Sequence, residues 1–159
     1  MRKLVAMQQS LGSLGEDRVL ERILSHVDSG DHVSVGPGDD AAVSTLPGPT
    51  VTTTDMLVEE SDFLRAWLDP YRLGIKAAAQ NLSDIYAMGA TPHGLLMSLS
   101  APNDTHIDVI EEFTRGLNDE AQRAGAAIIG GDLSTGGLIT IAITAVSYTH
   151  LTLPTTPYV

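Results

Sequence analysis

Apolar residues recur along this chain at helical and strand periods in separable blocks. From Ser13, the stretch SLGEDRVLERILSHV places Val19, Leu20, Ile23, Leu24 and Val27 on one face of a helix, with Ser13 and Glu16 at capping-box spacing. Two short β segments follow, His32 to Val35 and Ala41 to Thr45, and then an LPGP turn at 46–49. TVTTTDMLV is β-branched and predicts a strand with Asp55 at its end. Asp69 and Pro70 have the form of an N-cap and first helical position, opening a long helix through Met88 that Gly89 closes. On that helix Ile75, Ala78, Leu82 and Ile85 form an apolar stripe, while Ala77, Asn81 and Asp84 group away from it.

HGLLMSLS predicts a further strand, and Asp104 stands where it can cap a helix through about Ala124. The stripe of that helix is Ile107, Ile110, Phe113 or Thr114, Leu117, Ala121 and Ala124. AAIIGGD reads as a buried strand ending in glycines and Asp132. LITIAITAV alternates, with Ile139, Ile141 and Ile143 on one face and Thr140, Ala142 and Thr144 on the other. The order α-β-β-β-α-β-α-β-β predicts an α/β (α+β) domain in which helices cover a mixed β-sheet.

Composition narrows the function. A chain of 159 residues suffices for one domain, and 4% aromatic content leaves the core to Ala, Val, Ile and Leu. Twenty acidic residues against nine basic ones, a net charge of −11, argue against a nucleic-acid or anionic-membrane partner. The absence of cysteine excludes disulfides, thiolate metal sites and cysteine nucleophiles. The opening MRKLVAMQQS has only the four-residue apolar run LVAM, too short for a signal peptide, and nothing reaches membrane-spanning length. A cytoplasmic location is the expectation.

Four acidic clusters stand where elements end: Asp39-Asp40 in VGPGDDAAV, Asp55, Asp84 and Asp132. Singly, each has an ordinary structural role open to it, as a turn cap, a loop cap or a solvated helix position. Together they sit among small and apolar residues, with no Lys or Arg inside the motifs, and clustered carboxylates need a cation. All-oxygen ligation by carboxylates and threonine hydroxyls suits Mg²⁺, which commonly joins carboxylates to substrate phosphates. Five histidines do not pair at metal-ligand spacing, which argues against zinc. Neither a GxxxxGK[ST] loop nor a GxGxxG or HRD element is present. Glycine turns such as GPG and GG can offer backbone N–H groups to phosphate oxygens. The residues by themselves therefore point to Mg²⁺-dependent nucleotide or phosphate chemistry.

The ordered set GPGDDAAV, TTTDMLVE, KAAAQNLSDIYAMGA and GAAIIGGDLS resembles the thiamine-monophosphate kinase family, within the superfamily of aminoimidazole ribonucleotide synthetase. The resemblance runs from about Leu14 to about Val146. It implies transfer of the γ-phosphate of ATP to the phosphate of thiamine monophosphate, with no side-chain nucleophile. It also implies several Mg²⁺ ions held by Asp40, Thr53, Thr54, Asp55, Asp84 and Asp132, with Gly131 and Asp132 at the ATP site. Asp39 either joins the ligands or caps the turn that aims Asp40. A homodimer formed through the sheets, with an active-site groove shared with a second domain and the partner, is implied as well.

The chain departs from the family pattern in two places. Asp62-Phe63 stands where the family has a His-Phe pair whose His contacts thiamine, so Asp62 takes the substrate position. After Val146, SYTHLTLPTTPYV replaces the expected glycine-rich turn, ATP-binding Arg and C-terminal domain. The expected organisation is thus an extension at 1–13, the ATP/Mg²⁺-binding and dimerisation domain at 14–146, and a non-native tail at 147–159. Two other functions stay open: another ATP-dependent enzyme of the superfamily, of hydrogenase-maturation or cyclo-ligase type, and an inert dimerisation and metal-binding fragment.

Overall fold

The alternation in LITIAITAV becomes the organising strand of the molecule. The computed structural model describes residues 9–28 and 30–150. In chain order the elements are α1 (Leu11–Leu14), α2 (Glu16–Leu24), β1 (Val33–Val35), β2 (Val43–Ser44), β3 (Thr50–Val58) and α3 (Pro70–Ala87). They continue with β4 (Thr91–Ala101), α4 (Ile107–Arg123), β5 (Ala127–Thr135) and β6 (Thr140–Tyr148). Strands β3-β6-β4-β5 lie side by side in one sheet, antiparallel except for the parallel β4–β5 pair, and β1 and β2 form a separate ribbon. This is the mixed sheet with helices that the residue pattern predicts.

Period-two alternation decides which side the helices cover. Ile141, Ile143 and Ala145 of β6 and Leu95, Met97 and Leu99 of β4 point into a core shared with α3 and α4. On β3 the alternate residues Thr52, Thr54 and Met56 are exposed, Met56 at 59%. Helices α3 and α4 cross with little between them. A methyl group on Gly74 would strike the Phe113 carbonyl oxygen, and one on Gly116 would strike that of Tyr71. Beside this crossing the Tyr71 hydroxyl donates to Asp119 Oδ2 at 2.8 Å, a bond that raises the phenol's pKa.

Asp69 caps α3 by accepting the Arg72 N–H at 2.9 Å, with Pro70 at the first position, as its sequence predicts. Ala77 and Asn81, outside the predicted stripe, are nonetheless buried, because α3 packs against both the sheet and α4. Several local expectations are corrected. Gly15, at φ 78°, divides the predicted first helix in two, and Ser13 bonds back to Ser10 instead of pairing with Glu16. His106, rather than Asp104, caps α4, its Nδ1 accepting the Asp108 N–H. Both Phe113 and Thr114 are buried. Asp55 and Asp132 are not at strand ends: β3 runs on to Val58 and β5 to Thr135.

The last strand also passes the expected boundary at Val146. Ser147 is buried and its hydroxyl donates to the Val51 carbonyl at 2.6 Å, and the Thr149 N–H donates to Pro49 at 2.9 Å. Residues 151–159 of the expected tail, and 1–8 of the expected extension, lie outside the described residues.

His93 introduces a pH dependence. It sits where the β4–β6 register shifts between Pro92 and Gly94, is only 5% exposed, and its Nε2 has no hydrogen-bond partner among the described residues. Burial, and secondarily the neighbouring His32, lower its pKa from the usual 6.5. The folded state therefore binds this proton less readily than the unfolded chain does. The stability that the neutral ring contributes is present above the unfolded pKa and is lost as pH falls below it. Thermal melts between neutral and mildly acidic pH should show a falling midpoint, and His93→Gln should flatten that slope.

Candidate functional site

The carboxylates are gathered at the two edges of the sheet. At the first edge, the glycine turn before β2 bends back on itself, with Gly38 at φ 108°. Asp39 Oδ1 accepts the Asp40 N–H at 2.8 Å, so this carboxylate holds the turn that presents Asp40. Asp39 and Asp40 line a cavity of about 490 Å³ together with Gly131 and Asp132 of β5, and α2 supplies Leu20 and Leu24 as an apolar wall. Gly131 is required by packing, since a methyl group there would strike the Met97 carbonyl.

At the other edge, β3 runs beside α3, and the Thr53 hydroxyl donates to Asp84 Oδ2 at 3.4 Å. Asp55 follows two residues on, on the same side of the strand by the alternation rule. Thr54 alternates to the opposite side. Its hydroxyl donates to the Ile143 carbonyl and accepts from Thr144, both at 3.0 Å. The chain therefore brings Thr53, Asp55 and Asp84 together, brings Asp40 and Asp132 together, and leaves Thr54 with neither group.

Register gives the separation. Asp55 pairs with Ile143, Ile143 with Met97 and Met97 with Gly131, a row that crosses all four strands. Three inter-strand steps amount to about 14 Å, too far for one ion to touch both groups. Among the described residues, no three His, Asp or Glu side chains converge on a single point. Nor does any Lys, Arg or His form an ion pair with Asp39, Asp40, Asp55, Asp84 or Asp132. Uncompensated carboxylate and hydroxyl oxygens match the donor chemistry of Mg²⁺, which takes one or two protein carboxylates and completes its shell with water and phosphate.

The turn after β3 holds Asp62, the expected substrate position, together with residues to which the sequence assigns no role. Asp62 Oδ2 accepts the Val58 N–H at 2.7 Å, so part of this carboxylate is engaged in the turn itself. Glu59, 6% exposed, pairs with Arg65 and accepts the Ile139 N–H at 3.0 Å. Glu60 adopts φ 70°. Lys76 of α3 donates to the Asp62 carbonyl at 2.9 Å. The sequence signal for Lys76 is a single basic residue heading the small-residue run KAAAQN.

A four-stranded mixed sheet with two helices on one face and carboxylates at both edges defines a two-layer α/β domain. The chain belongs to the AIR synthase related protein family, whose N-terminal domain matches residues 38–149. Its relatives include the thiamine-monophosphate kinase of Corynebacterium glutamicum, 37% identical over 148 residues that cover 91% of this chain and 43% of the relative. The thiamine-monophosphate kinase of Mycobacterium tuberculosis is 40% identical over 144 residues, 90% of this chain and 43% of that one. Among solved structures, the thiamine-monophosphate kinase of Stenotrophomonas maltophilia superposes with a TM-score of 0.67 at 34% identity, covering 82% of this chain and 40% of that chain. AaThiL complexed with AMPPCP and TMP gives 0.61 at 31%, covering 86% and 43%. The chain thus spans less than half the length of the relatives it matches.

Proposed function

We propose that this chain is the N-terminal part of a kinase that phosphorylates thiamine monophosphate to thiamine diphosphate with ATP. The observation that carries the reading is the pair of acidic edges whose carboxylates form no ion pair among the described residues, one at the glycine-lined cavity and one at the β3–α3 margin. The relatives named thiamine-monophosphate kinase, and a neighbour complexed with AMPPCP and TMP, support it.

In this reading, an oxygen of the acceptor phosphate attacks the γ-phosphorus of ATP, the bond to the bridging oxygen breaks, and ADP leaves with that electron pair. The protein's work is to hold donor and acceptor in line and to keep competing water out. Asp40, Gly131 and Asp132 face the nucleotide, and Gly38, with open space around it, lets the backbone of the turn come close to phosphate oxygens. Asp55, Asp84 and Thr53 face the transferring group, with Asp62 beside the acceptor. Several Mg²⁺ ions, held by Asp40, Thr53, Thr54, Asp55, Asp84 and Asp132, would neutralise phosphate charge when bound.

A homodimer formed on the open sheet face, where Thr52, Thr54 and Met56 are exposed, would give each acidic edge a partner from the second copy. It would also give Thr54 a ligand role that the single chain does not. A cytoplasmic location agrees with this reading. No helix among the described residues is long and apolar enough to cross a membrane. The short span relative to the relatives favours a second reading, in which this chain alone dimerises and binds metal without turnover.

The test joins this chain to the remaining length of the Corynebacterium relative and measures thiamine diphosphate formed from ATP and thiamine monophosphate. Product from the fusion but not from the chain alone supports both statements. A folded fusion that binds Mg·ATP and forms no product overturns the kinase reading.

A further inference from the structure

Charge pairing among the described residues leaves two cationic side chains without an ion pair, Arg18, which is exposed on α2, and Lys76, which is half-buried on α3 beside the acidic margin. Five arginines are matched to carboxylates: Arg22 to Glu111, Arg65 to Glu59, Arg72 to Asp69, Arg115 to Glu112 and Arg123 to Glu120. Lys76 forms no ion pair among the described residues, and its ammonium group donates to a neutral carbonyl, that of Asp62. An ammonium has three donors, and this one gives a single bond to a carbonyl at the exposed margin of the turn, which leaves it accessible to an anion.

Its position along α3 is informative. Lys76, Gln80 and Asp84 recur every four residues, so they form one stripe about 12 Å long. Asp84 meets Thr53 at one end of that stripe, and Lys76 meets the turn after Val58 at the other. Helix and strand therefore run antiparallel, and Asp55 lies on the strand between the two ends. Gln80, in the middle, carries a buried amide oxygen with no hydrogen-bond partner among the described residues. The margin is negative at one end, positive at the other, and has unmet hydrogen-bonding capacity between them.

We propose that Lys76 is the residue that binds the acceptor phosphate, its ammonium facing a phosphate monoester carried on a cationic heteroaromatic alcohol. This rests on the kinase reading above and deepens it. A lysine serves as a point charge for phosphate and needs no fixed orientation, which suits a group that must approach a second phosphate. The Asp62 carbonyl holds the ammonium in place before the ligand arrives. Asp62 itself, across the turn, stays close to the cationic ring.

The test titrates thiamine monophosphate and unphosphorylated thiamine into the fusion described above by calorimetry, with wild type, Lys76→Met and Lys76→Arg. Loss of one charge-assisted contact should weaken thiamine monophosphate binding about 10- to 100-fold in Lys76→Met. Thiamine binding should stay unchanged, and Lys76→Arg should keep most of the affinity for the phosphate ester. Equal weakening of both ligands would assign Lys76 to holding the turn and overturn the proposal, as would no weakening of either. If wild type binds thiamine monophosphate and Lys76→Met binds it equally well, the kinase reading stands and only the lysine assignment falls. If the wild-type fusion binds neither ligand, both fall.

Discussion

Replacing Gly116 by alanine is expected to lower the thermal midpoint of this domain by several degrees. Alanine gains about 1 kcal/mol in helix propensity over glycine, so the local term favours the variant. Packing opposes it. The added methyl group meets the Tyr71 carbonyl oxygen on α3, a backbone atom that no side-chain rotation can move aside. Relief requires separating two helices whose facing residues Leu73, Ala77, Phe113 and Leu117 are all buried. Overpacking of this kind costs typically about 1–3 kcal/mol and sometimes more. Because backbone must move, the upper end applies, and the net loss is about 2 kcal/mol, or roughly 4–8 °C for a domain of this size. Gly74→Ala should behave in the same way, since its methyl group meets the Phe113 carbonyl across the same crossing. Gly137→Ala is the control, with nothing close to the added atom and no positive φ. A Gly116→Ala melt that overlays the Gly137→Ala melt would show that the helices do not approach so closely.

Neutralising the acidic edges should separate stability from activity. Asp84→Asn and Asp132→Asn each remove a carboxylate that has no cationic partner among the described residues, in a chain with net charge −11. Folding should not suffer, and the midpoint should hold or rise slightly as repulsion falls. Thiamine diphosphate formation by the fusion should fall about 100-fold or more in each variant, the scale of losing one preorganised electrostatic contact to the transferring group. Excess Mg²⁺ should restore part of the lost rate if the carboxylate acts by holding metal. Unchanged turnover in both variants would remove these residues from the site. A large drop in midpoint would mean that they are structural after all.

Much of the fold was legible because its long elements are strongly periodic. The Asp69-Pro70 start, the Gly89 stop and the alternating isoleucines of β6 each state their structure locally. Failures occurred where a local rule met a competitor in three dimensions. Asp104 is a good capping residue, but the chain reaches α4 through a Pro102–Thr105 turn that places His106 at the cap. Ser13 has capping-box spacing to Glu16, but a glycine intervenes and takes a left-handed conformation. The candidate site residues stood out by type, since carboxylates beside glycine and threonine are chemically distinctive. Their arrangement was not. Only the strand order, in which β6 and β4 lie between β3 and β5, reveals that the acidic groups occupy opposite edges. Lys76 was harder still, because an isolated lysine on a helix carries no signal until the fates of the other cations are known.

That strand order has a further consequence, in time. Strand β6 is the last described element of the chain, yet it occupies an inner place in the sheet, and Thr50 finds its partner in Tyr148. Until residues 140–148 have been synthesised, β3 has no neighbour on either side and β4 has only β5. Helices α3 and α4 are adjacent in sequence apart from one strand and can meet early, while the sheet must wait. A ribosome-bound intermediate would therefore present a helical hairpin with an unclosed, threonine-rich β3, and interruption of synthesis before Thr140 would strand the protein in that form.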